Sequence, residues 1–182
     1  MPSVISHAAV SVAAGVAFAP REVSIRFWSL SLICSMIPDM DSIAFWLGIP
    51  YSHLFGHRGF FHSPFFSLLL SLFFVSVFFR SLELFSRHWF FYFIFFFLLS
   101  ASHGLLDAFT NGGLGIAILS PFDQTRYFFP WRPIAVSPIG VAPFFGRWGL
   151  SVMKSELLWV WLPSFVMVIA SAVIRVVAMR HS

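Results

Sequence analysis

The sequence predicts an all-α fold: a polytopic membrane bundle of about five transmembrane helices with a metal site at one membrane face. Of the 182 residues, 59% are hydrophobic and only 10% are charged, and the mean hydropathy is +0.88. A soluble domain would carry about a quarter charged residues. In this apolar chain, seven of the histidines and aspartates lie in four short clusters. Ionisable groups at membrane depth are costly and are usually kept there for function, so the clusters predict a site.

The chain is expected to form a single membrane-embedded domain spanning 1–182, because it is too short for a second module. Its N-terminal segment has no basic region, so the first apolar run is interpreted as a retained helix and not as a signal peptide. Five apolar runs predict the helices: Val4–Ala19, Phe27–Leu47, Phe65–Phe79, Trp89–Phe109 and Leu157–Val177.

Each run has a composition that suits a membrane helix. The first is rich in Ala, Gly and Ser, which favours close helix packing, and the second is interrupted at Pro38. The fourth and fifth are long enough to cross a hydrocarbon core of about 30 Å. The first and third are shorter, which indicates local thinning or polar ends that reach the interface. Residues 110–154 are predicted to be a long loop on the site face.

Counting the crossings places all four clusters on the same face of the membrane. A helix that begins near the first cluster must be followed by one that returns to the second and third, and the fourth run ends at the last cluster. This convergence is the main sequence argument for a single site. The clusters are His7, Asp39/Asp41, His57/His62 and His103/Asp107.

Basic residues suggest the orientation. Arginines in short loops lie opposite the site, whereas the basic residues of the site face are spread over longer loops. The positive-inside rule then places the C-terminus in the cytoplasm and the site toward the periplasm or exterior. No basic stripe suggests a nucleic-acid partner. The short-loop arginines are Arg21, Arg26, Arg80, Arg87, Arg175 and Arg180.

Two clusters allow a structural interpretation beside the functional one. His103 and Asp107 are four residues apart, so one helical face presents both to a metal, although an interhelical hydrogen bond has similar weight. Asp39 and Asp41 follow Pro38 and suit a divalent cation in turn geometry. A simple Pro-Asp-x-Asp turn is the alternative.

The segment from His57 to His62 is the most specific string. Two imidazoles in a short loop can reach one site, Gly59 permits a tight backbone, and Arg58 supplies a forked donor for phosphate or carboxylate. An interfacial loop with aromatic anchors is the alternative. Other polar residues are weaker candidates: His7 taken alone, Asp123 as an extra ligand or turn residue, and Glu156 as a charge at a helix N-terminus.

Together the clusters supply a ligand set for one or two divalent cations. Cys34 is the single cysteine, so a multi-thiolate zinc site is excluded. Zn²⁺ is favoured because of the imidazoles, with Mn²⁺ or Mg²⁺ as alternatives. The residues predicted to take part in catalysis are Arg58, Asp41 and His62. Arg126 and Arg132 are the alternatives to Arg58 for stabilising developing negative charge. The predicted metal ligands are His7, Asp39, Asp41, His57, His62, His103 and Asp107.

These strings resemble the bacterial inner-membrane metal-dependent hydrolase family of the YdjM type. The resemblance covers most of the chain and rests on His7, Pro38–Asp41, His57–Ser63 and His103–Thr110, with Pro121-Phe122 later in the sequence. One departure is a phenylalanine in place of the usual threonine before the second histidine of the His-Arg-Gly string. The His-x-x-x-Asp element also has a faint similarity to zinc-dependent phospholipase C, which favours phosphoesters.

Three functions are compatible with this pattern. The first is a membrane-bound hydrolase that cleaves a phosphoester of a lipid or lipid-linked substrate through a metal-activated water. The second is a metal-ion or proton transporter, since intramembrane His and Asp also mark ion pathways. The third is a structural protein whose polar clusters hold helices together. Membrane lipids are the expected partners, and the sequence leaves the oligomeric state and the substrate open.

Overall fold

The structure is a computed structural model that describes residues 1–20 and 22–180. Arg21, counted above among the short-loop arginines, lies outside the described residues. Within them the protein is helical, and only isolated bridges such as Thr110 with Ile134 pair extended segments. The helices, in chain order, are α1 (Val4–Phe18), α2 (Ile25–Met36), α3 (Ile43–Trp46), α4 (Pro64–Phe78), α5 (Arg87–Ala108), α6 (Val141–Phe144), α7 (Arg147–Glu156) and α8 (Leu162–Arg180).

Side-chain caps begin the long helices. Ser3, Ser24, Ser63 and Ser86 each precede a helix and accept a hydrogen bond from a backbone N–H of its first turn. This satisfies donors that have no partner inside the helix. A 3₁₀ segment, Ile37–Ser42, follows α2 directly, with its proline in the first turn where no N–H is needed.

The apolar core lies between α2, α4 and α5. Phe27 of α2, Phe74 of α4 and Phe96 of α5 meet edge-to-face or tilted, with ring centroids 5.5–5.9 Å apart for the Phe96 pairs. Phe27 and Phe96 are fully buried. On the other side α1 packs against α2 and α8, and a Cβ at Gly15 would lie only 2.4 Å from the Trp28 ring.

Two helices are long and apolar enough to cross a membrane: Arg87–Ala108 and the continuous stretch Arg147–Arg180. Val4–Phe18 and Pro64–Phe78 are shorter apolar helices. The all-helical prediction is therefore confirmed, whereas the number of crossings stays a prediction. The expectation of a loop through residue 154 was wrong at its end, because α7 begins at Arg147 and runs through a π-helical turn, Leu157–Trp161, into α8.

Candidate metal centre

The end of α5 supplies one wall of the site. His103 and Asp107 lie one turn apart and are almost completely buried. His103 Nδ1 donates to the Ser35 carbonyl oxygen at 2.7 Å. Because a carbonyl oxygen only accepts, this bond assigns the proton of a neutral imidazole to Nδ1 and leaves the Nε2 lone pair free. Nε2 lies 3.2 Å from Asp39 Oδ1.

Between these two residues, Gly104 allows the loop that carries His62 to approach α5. A Cβ at this position would lie 2.4 Å from the His62 carbonyl oxygen, which is a steric overlap with backbone. His62 Nε2 is consequently 3.3 Å from Asp107 Oδ2 and 3.6 Å from Asp39 Oδ1. The sequence offered one sign of this contact, a glycine inside an apolar helix.

The 3₁₀ segment after α2 directs both of its aspartates into the protein. Asp39 and Asp41 are 7% and 4% exposed. Asp41 Oδ1 accepts from His57 Nδ1 at 2.6 Å, and Oδ2 accepts from the Arg58 backbone N–H at 3.0 Å. Oδ2 also lies 3.0 Å from His62 Nδ1. Asp41 therefore faces the Nδ1 atoms of His57 and His62. Asp39 instead faces the Nε2 atoms of His62 and His103.

The first turn of α1 adds His7. Its ring stacks on His103 with centroids 3.7 Å apart and an interplanar angle of 14°. His7 Nε2 lies 3.7 Å from Asp107 Oδ1. The structure thus brings all seven sequence-predicted ligand residues into one buried region.

Arg58 is 1% exposed, which is unusual for an arginine. Its Nε pairs with Asp107 Oδ2 at 3.0 Å, Nη1 donates to the Gly112 carbonyl at 2.8 Å, and Nη2 donates to Thr110 Oγ1 at 2.9 Å. Its backbone φ is +61°, a left-handed conformation that few non-glycine residues adopt. Sequence reasoning did not single out Thr110, which also donates to the Asp107 carbonyl.

The remaining candidates lie outside this region. Arg126 donates to the carbonyls of His57 and Tyr51 and so holds their loop, and Arg132 is exposed over the Phe128 ring. Asp123 accepts from Thr125 in a turn, and this bonding lowers the pKa of its carboxyl. Glu156 is fully buried but accepts from the hydroxyls of Ser3 and Ser6 at 2.6 and 2.7 Å.

The electrostatics of the loop residues follow from their neighbours. Burial would raise the pKa of the Asp41 carboxyl, but the nearby His62 and His57 outweigh it and leave that pKa below its ordinary value. Burial raises the pKa of the Tyr51 hydroxyl, which stays neutral. Asp41 is therefore an anion among imidazoles, the arrangement that orients metal-binding histidines in many proteins.

The inner atoms of this region fit a divalent cation. One ligand atom from each of Asp39, His62, His103 and Asp107 can be chosen so that all lie within 4.8 Å of one another. Among the described residues, several buried atoms here make no hydrogen bond, although most of them are in the ion-pair contacts given above: His7 Nε2, both Asp39 oxygens, His62 Nδ1 and Nε2, His103 Nε2 and both Asp107 oxygens.

Charge points the same way. Three buried carboxylates (Asp39, Asp41 and Asp107) are accompanied by one buried guanidinium, that of Arg58, and by the ammonium group of Met1, which lies 3.9 Å from Asp107 Oδ1. Buried charge is costly unless it is paired or coordinates a metal. Imidazole nitrogens with carboxylate oxygens suit Zn²⁺ or Mn²⁺, and the residues present therefore fit such an ion.

Two cavities reach this region from different sides. The Asp39 cavity, of about 420 Å³, is lined by Asp39, Val4, Ile5, Phe144 and Phe145 among others. The Arg58 cavity, of about 290 Å³, is lined by Tyr51, His57, Arg58, Gly113 and Trp148 among others. Met1, Ser137, Pro138 and Ile139 contribute to both cavities. The segment after α5 therefore covers the site.

Comparisons with known proteins agree with the sequence interpretation. The family model described as YdjM inner membrane protein matches residues 1–182. The chain is 36% identical over 172 residues to the inner membrane protein YbcI of Escherichia coli (strain K12), an alignment that covers 92% of this chain and 95% of YbcI. No solved structure matches.

Proposed function

Because the chain belongs to the YdjM inner membrane protein family, we propose that it is a membrane-bound metal-dependent hydrolase that cleaves a phosphoester of a lipid or lipid-linked substrate. The predicted family membership is confirmed, and both the family and YbcI are described as inner membrane proteins. The family name states a location and no reaction. The chemistry in this proposal therefore rests on the site.

The observation that carries the proposal is the convergence of buried ligand atoms that make no hydrogen bond. Asp39, His62, His103 and Asp107 come from three separate segments and present these atoms to one point. A buried polar group without a hydrogen bond costs about 1–3 kcal/mol, and a cation among these side chains and His7 would remove that cost. When bound, a divalent cation supplies a water that is activated for attack at neutral pH.

The surrounding residues have distinct roles in this proposal. His62, His103, Asp39, Asp107 and His7 would hold one or two cations by their inner atoms. Asp41 fixes the ring orientation of His62 from behind and joins it to His57. The sequence also predicts Asp41 and His57 as metal ligands. They would be ligands if a second cation were bound by Asp41, His57 and His62.

Arg58 would bind the anionic group of the substrate. Its three contacts leave N–H donors on both terminal nitrogens, since a guanidinium has five, and the residue lines the Arg58 cavity. Donors fixed before the reaction stabilise developing negative charge without reorganisation. This matches the role expected from the sequence.

The two cavities support a lipid as substrate. The Asp39 cavity has apolar walls and opens among exposed side chains such as Ile5 and Phe145, which are 49% and 83% exposed. The Arg58 cavity offers a guanidinium, an imidazole and a phenol. A phosphoester at the metal site would have its acyl portion on the first side and its polar portion on the second.

We also place the protein in the membrane with about five crossings, formed by α1, α2, α4, α5 and the stretch from α7 to α8, with the site face periplasmic. The alternative of a metal-ion or proton transporter needs a polar route to the opposite face. Aromatic side chains of α2, α4 and α5 fill the core beyond the site, with Phe27 and Phe96 fully buried. We therefore favour hydrolysis over transport.

The first test is the metal content of detergent-purified protein, wild type beside Asp107→Ala. We expect one or two equivalents of zinc or manganese in the wild type and loss of that metal in the variant. A wild type with no metal after reconstitution would overturn the metal site. Retention of the metal by the variant would remove Asp107 from the ligands.

A second test concerns Arg58. We expect Arg58→Ala to keep its metal and to lose phosphate release from phospholipid or lipid-linked phosphate substrates by about a hundredfold. Arg132→Ala, at an exposed position on the same side, is the matched control and should retain activity. Equal turnover in wild type and Arg58→Ala would exclude Arg58 from the mechanism.

A further inference from the structure

Between α1, α5 and α8 an open groove runs along their shared surface, from Ser102 beside the candidate metal centre to Arg87 at the opposite end of the bundle. Its walls come from Val10, Ala14 and Phe18 of α1, a long stretch of α5 between Arg87 and Ser102, and Met167 of α8. The groove has a volume of about 550 Å³. Nearly all of its surface is aliphatic or aromatic.

The groove is continuous with a second one that carries basic side chains among apolar ones. Phe18, Arg87 and Phe91 line both grooves, and the second, of about 610 Å³, adds His88 and Arg175. It lies where α1 ends and α5 begins, so the cationic end is on the face opposite His7 and Asp107. Along α5 the apolar part extends from position 102 to position 87, about 22 Å at 1.5 Å per residue.

Arg87 and Arg175 form no ion pair with a carboxylate of the described residues. Arg175 donates to the carbonyls of Ala17 and Ala19 at 2.8 and 3.2 Å, which uses one of its nitrogens. Among the described residues, the one arginine paired with a carboxylate is Arg58, with Asp107. Arg87 and His88 are exposed on this surface. Two guanidiniums and an imidazole thus line the mouth of a groove whose apolar part is about 22 Å long.

We propose that this groove binds an anionic phospholipid, with its phosphate at Arg87 and Arg175 and one acyl chain along α1 and α5. Guanidinium groups bind phosphate oxygens in a fork geometry that an ammonium cannot reproduce. Basic pockets between membrane helices are a recurring site for anionic lipid head groups. The apolar part is longer than half of a hydrocarbon core of about 30 Å, so one acyl chain fits within a leaflet.

This lipid site is independent of the proposed hydrolysis. Its basic end lies at the other end of α1 and α5 from the metal cluster, although its apolar part extends to Ser102 beside His103. A lipid with its head group at the basic end would be a resident ligand and not a substrate. Because α1 carries His7 at one end and Phe18 at the other, the lipid would fill the gap between α1 and α5 and stabilise their packing.

The test is lipid binding by native mass spectrometry of the full chain released from detergent. The probes are phosphatidylglycerol and phosphatidylcholine of equal acyl length, and a short-chain, water-soluble phosphatidylglycerol. We expect the wild type to retain long-chain phosphatidylglycerol in preference to phosphatidylcholine. Arg87→Gln should weaken that retention about fivefold, the share of one basic residue near an anionic surface.

Arg80→Gln is the matched control, since Arg80 is an exposed arginine outside the groove near the same end of the bundle, where its Nε donates to the Val77 carbonyl. It should bind like the wild type. Equal losses in Arg87→Gln and Arg80→Gln, or equal retention of both long-chain lipids, would overturn the site. Equal binding of the short-chain lipid would overturn the role of the groove, because only the head group would then be recognised.

Discussion

The aromatic middle of α5 and its polar C-terminal end differ in how their side chains are packed. Near its middle, Phe95 and Phe96 pack against aromatic rings of α2 and α4 and leave no polar atom to satisfy. Near its end, His103 and Asp107 present buried atoms that have no hydrogen-bond partner. The aromatic half thus holds the helices in place, and the polar half can therefore keep ligand atoms that make no hydrogen bond. Three predictions test this division, beginning with the largest effect.

The polar half should depend on individual atoms. We expect His62→Ala to lose the bound metal almost completely, because His62 Nε2 is central to the inner cluster. The protein should remain in the membrane fraction, since the aromatic core is untouched. Elemental analysis of the purified variant is the measurement.

His53→Ala serves as its control, because His53 is exposed and its Nδ1 accepts only from the Phe55 backbone N–H. Full metal content in both variants would show that the imidazole cluster is not the binding site. Loss of membrane insertion in His62→Ala, with normal metal in the inserted remainder, would assign His62 to folding.

The aromatic half should depend on packed volume. We expect Phe96→Ala to lower the free energy of unfolding by about 3 kcal/mol, since the fully buried ring leaves a cavity among five neighbouring rings. Metal per folded molecule should be unchanged. Denaturing-detergent titration with a metal assay measures both quantities.

Phe73→Ala is the comparison on α4, because the Phe73 side chain is 54% exposed on the outer surface. Its free energy of unfolding should change by less than about 1 kcal/mol. If Phe96→Ala removed the metal while folding was retained, the two halves would not be separable in the way described here.

The smallest effect on metal binding is expected at Asp41, which contacts the imidazoles on the side away from the inner cluster. Asp41→Asn should keep the metal site but weaken metal affinity about ten- to a hundredfold, because the variant no longer orients His62 and His57 with a carboxylate. Competition with a chelator measures the affinity. Asp123→Asn, an exposed turn residue, should have no effect. Complete loss of metal in Asp41→Asn would make Asp41 a direct ligand, as the sequence suggested.

Much of the site could be predicted from the sequence because membrane helices constrain it strongly. Each crossing reverses the direction of the chain, so the ends of the apolar runs decide which clusters meet. His7 and Asp107 are a hundred positions apart in the sequence; the sequence predicted that they share a face, and in the structure His7 Nε2 lies 3.7 Å from Asp107 Oδ1. The predicted helix ends agree with the structure within a few residues for α1, α4 and α5.

The rest depended on contacts that no local pattern encodes. That Asp41 faces Nδ1 atoms while Asp39 faces Nε2 atoms follows from the 3₁₀ turn after α2. Arg58 pairs with Asp107 from a left-handed backbone conformation, which its sequence neighbours did not indicate. The helical start at Arg147 was missed because Gly and aromatic residues there resemble a loop.

Glu156 has a consequence for how the protein is made. Its carboxylate binds the hydroxyls of Ser3 and Ser6, and Trp161 Nε1 donates to Ser6 as well. The first turn of α1, which carries His7, therefore obtains these anchors only after the ribosome has passed position 161. Until then the helix that is synthesised first lacks these anchors, although His7 can already meet His103 and Asp107 of α5. The first turn of α1 is thus fixed in place late in biosynthesis, by residues near the other end of the chain.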